Sequence, residues 1–123
     1  MTTSQRAALA RVFEQDARVA YGLLFGSVAR GQARADSDVD VALGLVDGAQ
    51  MDPLAVGRLV SDLERASGHT VDMVLLHGAP PALAYRIFRD GLVLMTRVRS
   101  ALVERKSGRS STTLTSNPLN RRL

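Results

Sequence analysis

Apolar residues recur along the chain with two different periods, and the alternation between them predicts eight elements. Residues 4–18 place Leu9, Val12 and Phe13 at i, i+3 and i+4 with polar positions opposite, the pattern of an amphipathic helix. Val19 to Phe25 is a short apolar run that ends at Gly26, with Tyr21 and Phe25 favouring a strand. Residues 27–35 are small, polar and punctuated by glycine, enough for one helical turn and then a loop. Val39 to Leu45 predicts a second strand. Asp52-Pro53 is an N-cap followed by proline at the first helical position, and the stripe Val56, Leu59, Val60, Leu63 runs from it to a stop at Gly68. Gly57 weakens that helix by about 1 kcal/mol relative to alanine. Thr70 to Leu76 predicts a third strand. Pro80-Pro81 opens a helix carrying Leu83, Ala84, Ile87 and Phe88, which Gly91 closes, and Leu92 to Met95 is a fourth, short strand. The order α-β-α-β-α-β-α-β predicts an α/β sheet covered by helices, with residues 96–106 expected to continue as a helix.

Chemistry concentrates in one stretch, Leu24 to Val41, LFGSVARGQARADSDVDV. A strand ending at Phe25, a tight turn at Gly26 and a helix opening at Ser27 aim backbone N–H groups and a hydroxyl at one point, a cradle for a phosphate. An ordinary structural turn has the same residues. Asp38 and Asp40 then lead into a strand, where period two points both the same way, about 6.5–7 Å apart. Two such carboxylates repel each other unless a cation lies between them, and they are the hard oxygen ligands that Mg²⁺ prefers. The alternative is a solvated, acidic strand start. Ala42 and Gly44 continue this face and are small enough for a substrate to lie against the strand. Asp72 is an isolated acid in TVDMVLL, where 71, 73 and 75 form one face and 70, 72, 74 and 76 the other. On its own it is a hydrogen-bonded edge residue. Taken with Asp38, Asp40 and the Gly-Ser turn, it completes what two-metal phosphoryl or nucleotidyl transfer requires.

Composition narrows the field. A chain of 123 residues with no cysteine has room for one domain and excludes thiol catalysis, disulfide scaffolds and zinc fingers built on cysteine. No apolar run approaches the roughly 20 residues of a membrane span, and the first twenty residues lack the layout of a signal peptide, so the expectation is a cytoplasmic protein with no membrane role. The formal charge of +4 lies in residues 104–123, which hold five basic residues against Glu104, while residues 1–103 are neutral. The folded part, 1–103, is therefore not a basic nucleic-acid binder. Residues 104–123 read as a flexible basic tail, Ser/Thr-rich over 107–117. His69 and His77 lack a second ligand nearby, and Tyr85 is expected to pack, a stacking role on a base being the alternative.

The stretch GSVARG-Q-ARADSDVDV resembles the signature of the polymerase-beta-type nucleotidyltransferase superfamily, and in particular its minimal members, the MNT domains. Ser27 is followed by ten residues and then Asp38-Val39-Asp40; Arg30-Gly31 and Ser37 match the family's neighbouring positions, and Asp72 matches its third carboxylate. The closing AYRIFRDGLVLM is also similar, so the resemblance covers about residues 5–100. It implies a four-stranded mixed sheet with flanking helices. It further implies that Gly26, Ser27, Arg30 and Ser37 bind the nucleotide, that Asp38, Asp40 and Asp72 are catalytic and hold Mg²⁺ in a two-ion site, and that Arg34 flanks them. ATP is the implied substrate. Stand-alone proteins of this kind are similar to the antitoxin of HEPN–MNT toxin–antitoxin pairs, which transfers AMP to a tyrosine of the HEPN ribonuclease toxin; that toxin is the implied partner. A non-catalytic antitoxin acting by contact, and a transferase acting on a small hydroxylated molecule, are the alternatives. The chain after the last strand, ERKSGRSSTTLTSNPLNRRL, departs from the longer helical segment usual in the family.

Overall fold

The computed structural model describes residues 1–29, 31 and 38–97. The predicted elements are there in the predicted order: α1 (Thr3–Glu14), β1 (Val19–Phe25), α2 (Gly26–Ala29), β2 (Val39–Leu45), α3 (Pro53–Ser67), β3 (Val71–Leu75), α4 (Pro81–Asp90) and β4 (Leu92–Thr96), with a short 3₁₀ turn over Leu76–Gly78. The strands form one mixed sheet of order β3-β2-β1-β4. β1 runs antiparallel to both β2 and β4, while β2 and β3 are parallel. Parallel neighbours need a crossover, and α3 supplies it.

Each face of the sheet has its own core. The odd-numbered residues of β2 (Val39, Val41, Leu43) and Val71 of β3 pack with Leu9 and Phe13 of α1 and Leu59 and Leu63 of α3. The opposite face carries Ala42 with Tyr21 and Leu23, covered by Ala84, Ile87 and Phe88 of α4. β1 and the heart of β2 are thus apolar on both faces, which explains why VAYGLLF shows no alternation.

The helices begin where local chemistry sets them. Thr2 caps α1 in a reciprocal box with Gln5, and Asp52 caps α3 by accepting from the Ala55 N–H at 2.8 Å. Gly57 does not interrupt α3, because Leu59 and Leu63 bury its apolar stripe. Two ties join the helices to their surroundings: Gln5 donates to the Ser67 carbonyl at 3.0 Å, and the Val71 N–H donates to the Glu64 carboxylate at 3.1 Å.

α1 stops at Glu14, four residues short of the predicted end. Asp16 accepts the Arg18 backbone N–H at 3.0 Å and the Arg18 guanidinium at 3.0 and 2.9 Å, which bends the chain into a turn. The guanidinium of Arg97, one residue past β4, donates to the carbonyls of Glu14, Asp16 and Val19. The carbonyl of Glu14, the last residue of α1, is thus partnered from a residue distant in sequence, a tie no local pattern announces. β4 extends one residue beyond its predicted end, through Thr96, so the expected helix does not begin there. The remainder of that segment and the expected basic tail, 104–123, lie outside the described residues.

The Arg18 guanidinium beside Asp16 holds its carboxyl below the usual carboxylate range. A carboxylate with a depressed folded pKa stabilises the fold above its unfolded pKa, near 4, and that contribution is lost as pH falls through the folded value. Asp16→Asn should therefore cost roughly 0.5–1.5 kcal/mol at neutral pH, the half-exposed Arg18 limiting the ion-pair part. The gap to wild type in urea midpoint should narrow as pH is lowered from about 6 to about 2.

Candidate active site

The two middle strands bring the acidic residues together. In the parallel pair β2–β3, Asp40 lies opposite Asp72 in register. Both stand two residues ahead of Ala42 and Val74, which pack on the α4 side, so both carboxylates start from adjacent backbone positions on that face. Neighbouring strands lie about 4.8 Å apart. Asp40 is half-buried and Asp72 exposed. Asp38 is exposed just ahead of β2, where period two places it above Asp40.

On the other flank, Phe25, the last residue of β1, lies opposite Asp40. The chain then turns at Gly26, with φ +75°, into α2. This is the predicted strand–turn–helix junction, and the register sets it directly beside the carboxylate. Ser27 is the second residue of α2. The Ser27 side chain, and Arg30, Arg34 and Ser37, lie outside what the structure describes.

The junction therefore brings Gly26, at the turn after β1, beside Asp40 of β2 and near Asp72 of β3. Among the described residues, no three His, Asp or Glu side chains are gathered closely enough to hold a metal ion. The in-register pair supplies the oxygen-only donors that suit Mg²⁺, and Asp38 stands two residues away along the same strand.

The structure corrects two expectations about the neighbouring residues. Ala42 and Gly44 do not form an open floor for a substrate. Ala42 is fully buried beneath α4, and the Tyr21 ring lies so close over Gly44 that a Cβ there would meet the ring at 2.2 Å. The small residues make room for Tyr21 and α4. Tyr85, expected to pack, is 65% exposed with the Arg89 guanidinium 5.6 Å from its ring centre. His69 donates its backbone N–H to Ser67, and His77 sits in the short 3₁₀ turn; neither belongs to the acidic cluster.

A cleft of about 890 Å³ opens at the opposite end of the sheet, lined by Asp16, Arg18, Leu54, Arg58 and Asp62 among others. The Asp16–Arg18 ion pair lies within it, as does a second pair, Asp62 with Arg65. Asp38, Asp40 and Asp72 are not among the residues that line this cleft.

Residues 8–100 match the family model described as polymerase beta, nucleotidyltransferase. No curated protein matches the chain. Among solved structures, one assigned as a minimal nucleotidyltransferase is 36% identical, covers 72% of this chain and 86% of its own, and superposes with a TM-score of 0.56. A toxin–antitoxin structure with AMP-PNP is 21% identical, with a TM-score of 0.70 over 93% of this chain and 92% of its own. A tri-AMPylated HEPN toxin of Shewanella oneidensis in complex with MNT antitoxin is 20% identical, with a TM-score of 0.60 over 94% of this chain and 92% of its own.

Because Tyr21 occupies the space over Gly44, Gly44→Ala should lower stability by about 1–3 kcal/mol, the cost of overpacking. Equilibrium urea unfolding measures it, and an unchanged midpoint would show that the ring moves aside freely.

Proposed function

The chain belongs to the polymerase-beta-type nucleotidyltransferase family, and from that premise we propose that it transfers AMP from ATP to a hydroxyl of a partner protein, a HEPN-type toxin whose antitoxin it is. One observation carries the chemical part of this reading: Asp40 and Asp72 stand in register on adjacent strands, directly beside the Gly26-Ser27 turn. The partner is supported by the solved structures of similar fold, which include a HEPN toxin carrying AMP in complex with MNT antitoxin.

In this reading the turn at Gly26 and Ser27 cradles the triphosphate with backbone N–H groups, and Arg30 and Ser37 are the further nucleotide-binding residues that the family resemblance implies. Asp40 and Asp72, in register, would hold Mg²⁺ through carboxylate oxygens, with Asp38 as the further ligand that the family resemblance implies. Bound there, Mg²⁺ stabilises charge on the phosphate oxygens and lowers the pKa of the attacking hydroxyl. The acceptor oxygen forms a bond to the α-phosphorus in line with the departing bridging oxygen, and pyrophosphate leaves. Asp72, the more exposed of the in-register pair, is the residue that would take the hydroxyl proton. The exposure of Asp38 and Asp72 suits an acceptor presented on another protein's surface.

The test is the intact mass of the co-expressed partner toxin after incubation with this protein, ATP and Mg²⁺. The partner should gain mass in adenylyl steps, and Asp38→Ala/Asp40→Ala should abolish the gain. A partner neutralised with no change in mass would overturn the transferase reading in favour of inhibition by contact.

A further inference from the structure

We propose that Gly26 is a positioning residue for Asp40: its missing side chain is the space that the carboxylate occupies, so the phosphate turn and the cation ligand form one packed unit. This rests on the reading of Asp40 as a cation ligand.

The contact involves most of the Asp40 side chain. A Cβ at Gly26 would lie 2.2 Å from Oδ2, 3.0 Å from Cγ and 3.2 Å from Cβ of Asp40. The Gly26 backbone thus forms a wall along the whole length of a short side chain that has two torsions. Asp40 cannot retreat by moving its backbone, because β2 is hydrogen-bonded on both sides, with Phe25 and Asp72 as its register partners. It yields by rotating to another rotamer, which takes the carboxylate away from the position it holds beside the Gly26 turn. The remaining positive-φ glycines among the described residues, Gly31, Gly48 and Gly68, have no atom within 4 Å of a built Cβ. At those three the backbone conformation alone favours glycine. At Gly26 a tertiary contact is added to it, and the contact is with a carboxylate of the site.

Two readouts separate this role from a purely conformational one. The first is a double-mutant cycle in urea midpoint, Gly26→Ala alone, Asp40→Ala alone and both together. Removing Oδ2 and Cγ should relieve most of the clash, so Gly26→Ala should lower the midpoint less in the Asp40→Ala background than in wild type. Equal drops in both would mean that Gly26 serves backbone conformation only, and would overturn the proposal. If Gly26→Ala does not fold alone, recovery of folding in the double variant supports the proposal and failure in both opposes it.

The second readout is Mn²⁺ binding by electron paramagnetic resonance, with Mn²⁺ as the probe for a hard divalent cation. Gly26→Ala should weaken it by about tenfold or more, the scale seen when a group that orients a ligand is lost. In turnover, kcat should fall with a smaller change in KM for ATP; the reverse pattern would assign Gly26 to the phosphates alone. Wild-type protein that binds no Mn²⁺ would also overturn the proposal. Wild-type protein that binds Mn²⁺ but transfers no AMP would count against the proposed function, while the cycle and the Mn²⁺ comparison still decide the role of Gly26.

Discussion

Strand β2 is hydrogen-bonded on both flanks, antiparallel to β1 and parallel to β3, and its position governs both the core and the site. Its odd residues, Val39, Val41 and Leu43, must face α1 and α3, since a slip of one residue would turn every side chain to the wrong face. The same constraint sends Asp40 to the other face, with no freedom left in the backbone. The apolar half of β2 thereby aims its acidic half. Hydrophobic burial, the dominant favourable term in folding, is what sets a pair of carboxylates side by side against their repulsion.

That division explains how much was legible in the chain. Strand β1, strand β2 and the capped start of α3 follow from short-range pattern and were placed as predicted, because a continuous apolar run and an Asp-Pro step each have one good local solution. The end of α1 was misplaced because the Asp16–Arg18 turn bends the chain there and Arg97, far away in sequence, takes the Glu14 carbonyl, neither of which helix periodicity registers. Ala42 and Gly44 were misread for a related reason. Their small size was visible, but the partner that fills the space, Tyr21, lies on a different strand.

The acidic residues show the same limit at the site. Period two put Asp38 and Asp40 on one face, and the apolar positions around Asp72 gave its face as well. What spacing does not contain is the parallel register that sets Asp40 against Asp72, or the contact between Asp40 and Gly26. A turn glycine announces its conformational freedom in sequence but not its neighbours. Family resemblance supplied the grouping of these residues, and the sheet gives that grouping a physical cause.

The Arg97 tie has one more consequence. It fastens the end of β4 beside the start of β1, where Thr96 lies opposite Tyr21, while the carboxylates stand at the other end of β1 beside Phe25. The stretch of β1 from Tyr21 to Phe25 separates the two by about 13 Å. The contacts that hold the end of β4 are thus made at the pole of β1 away from the acidic pair. A change at Arg97 would loosen the joint between α1 and β1 while the register of Asp40 with Phe25 and Asp72 stays as it is.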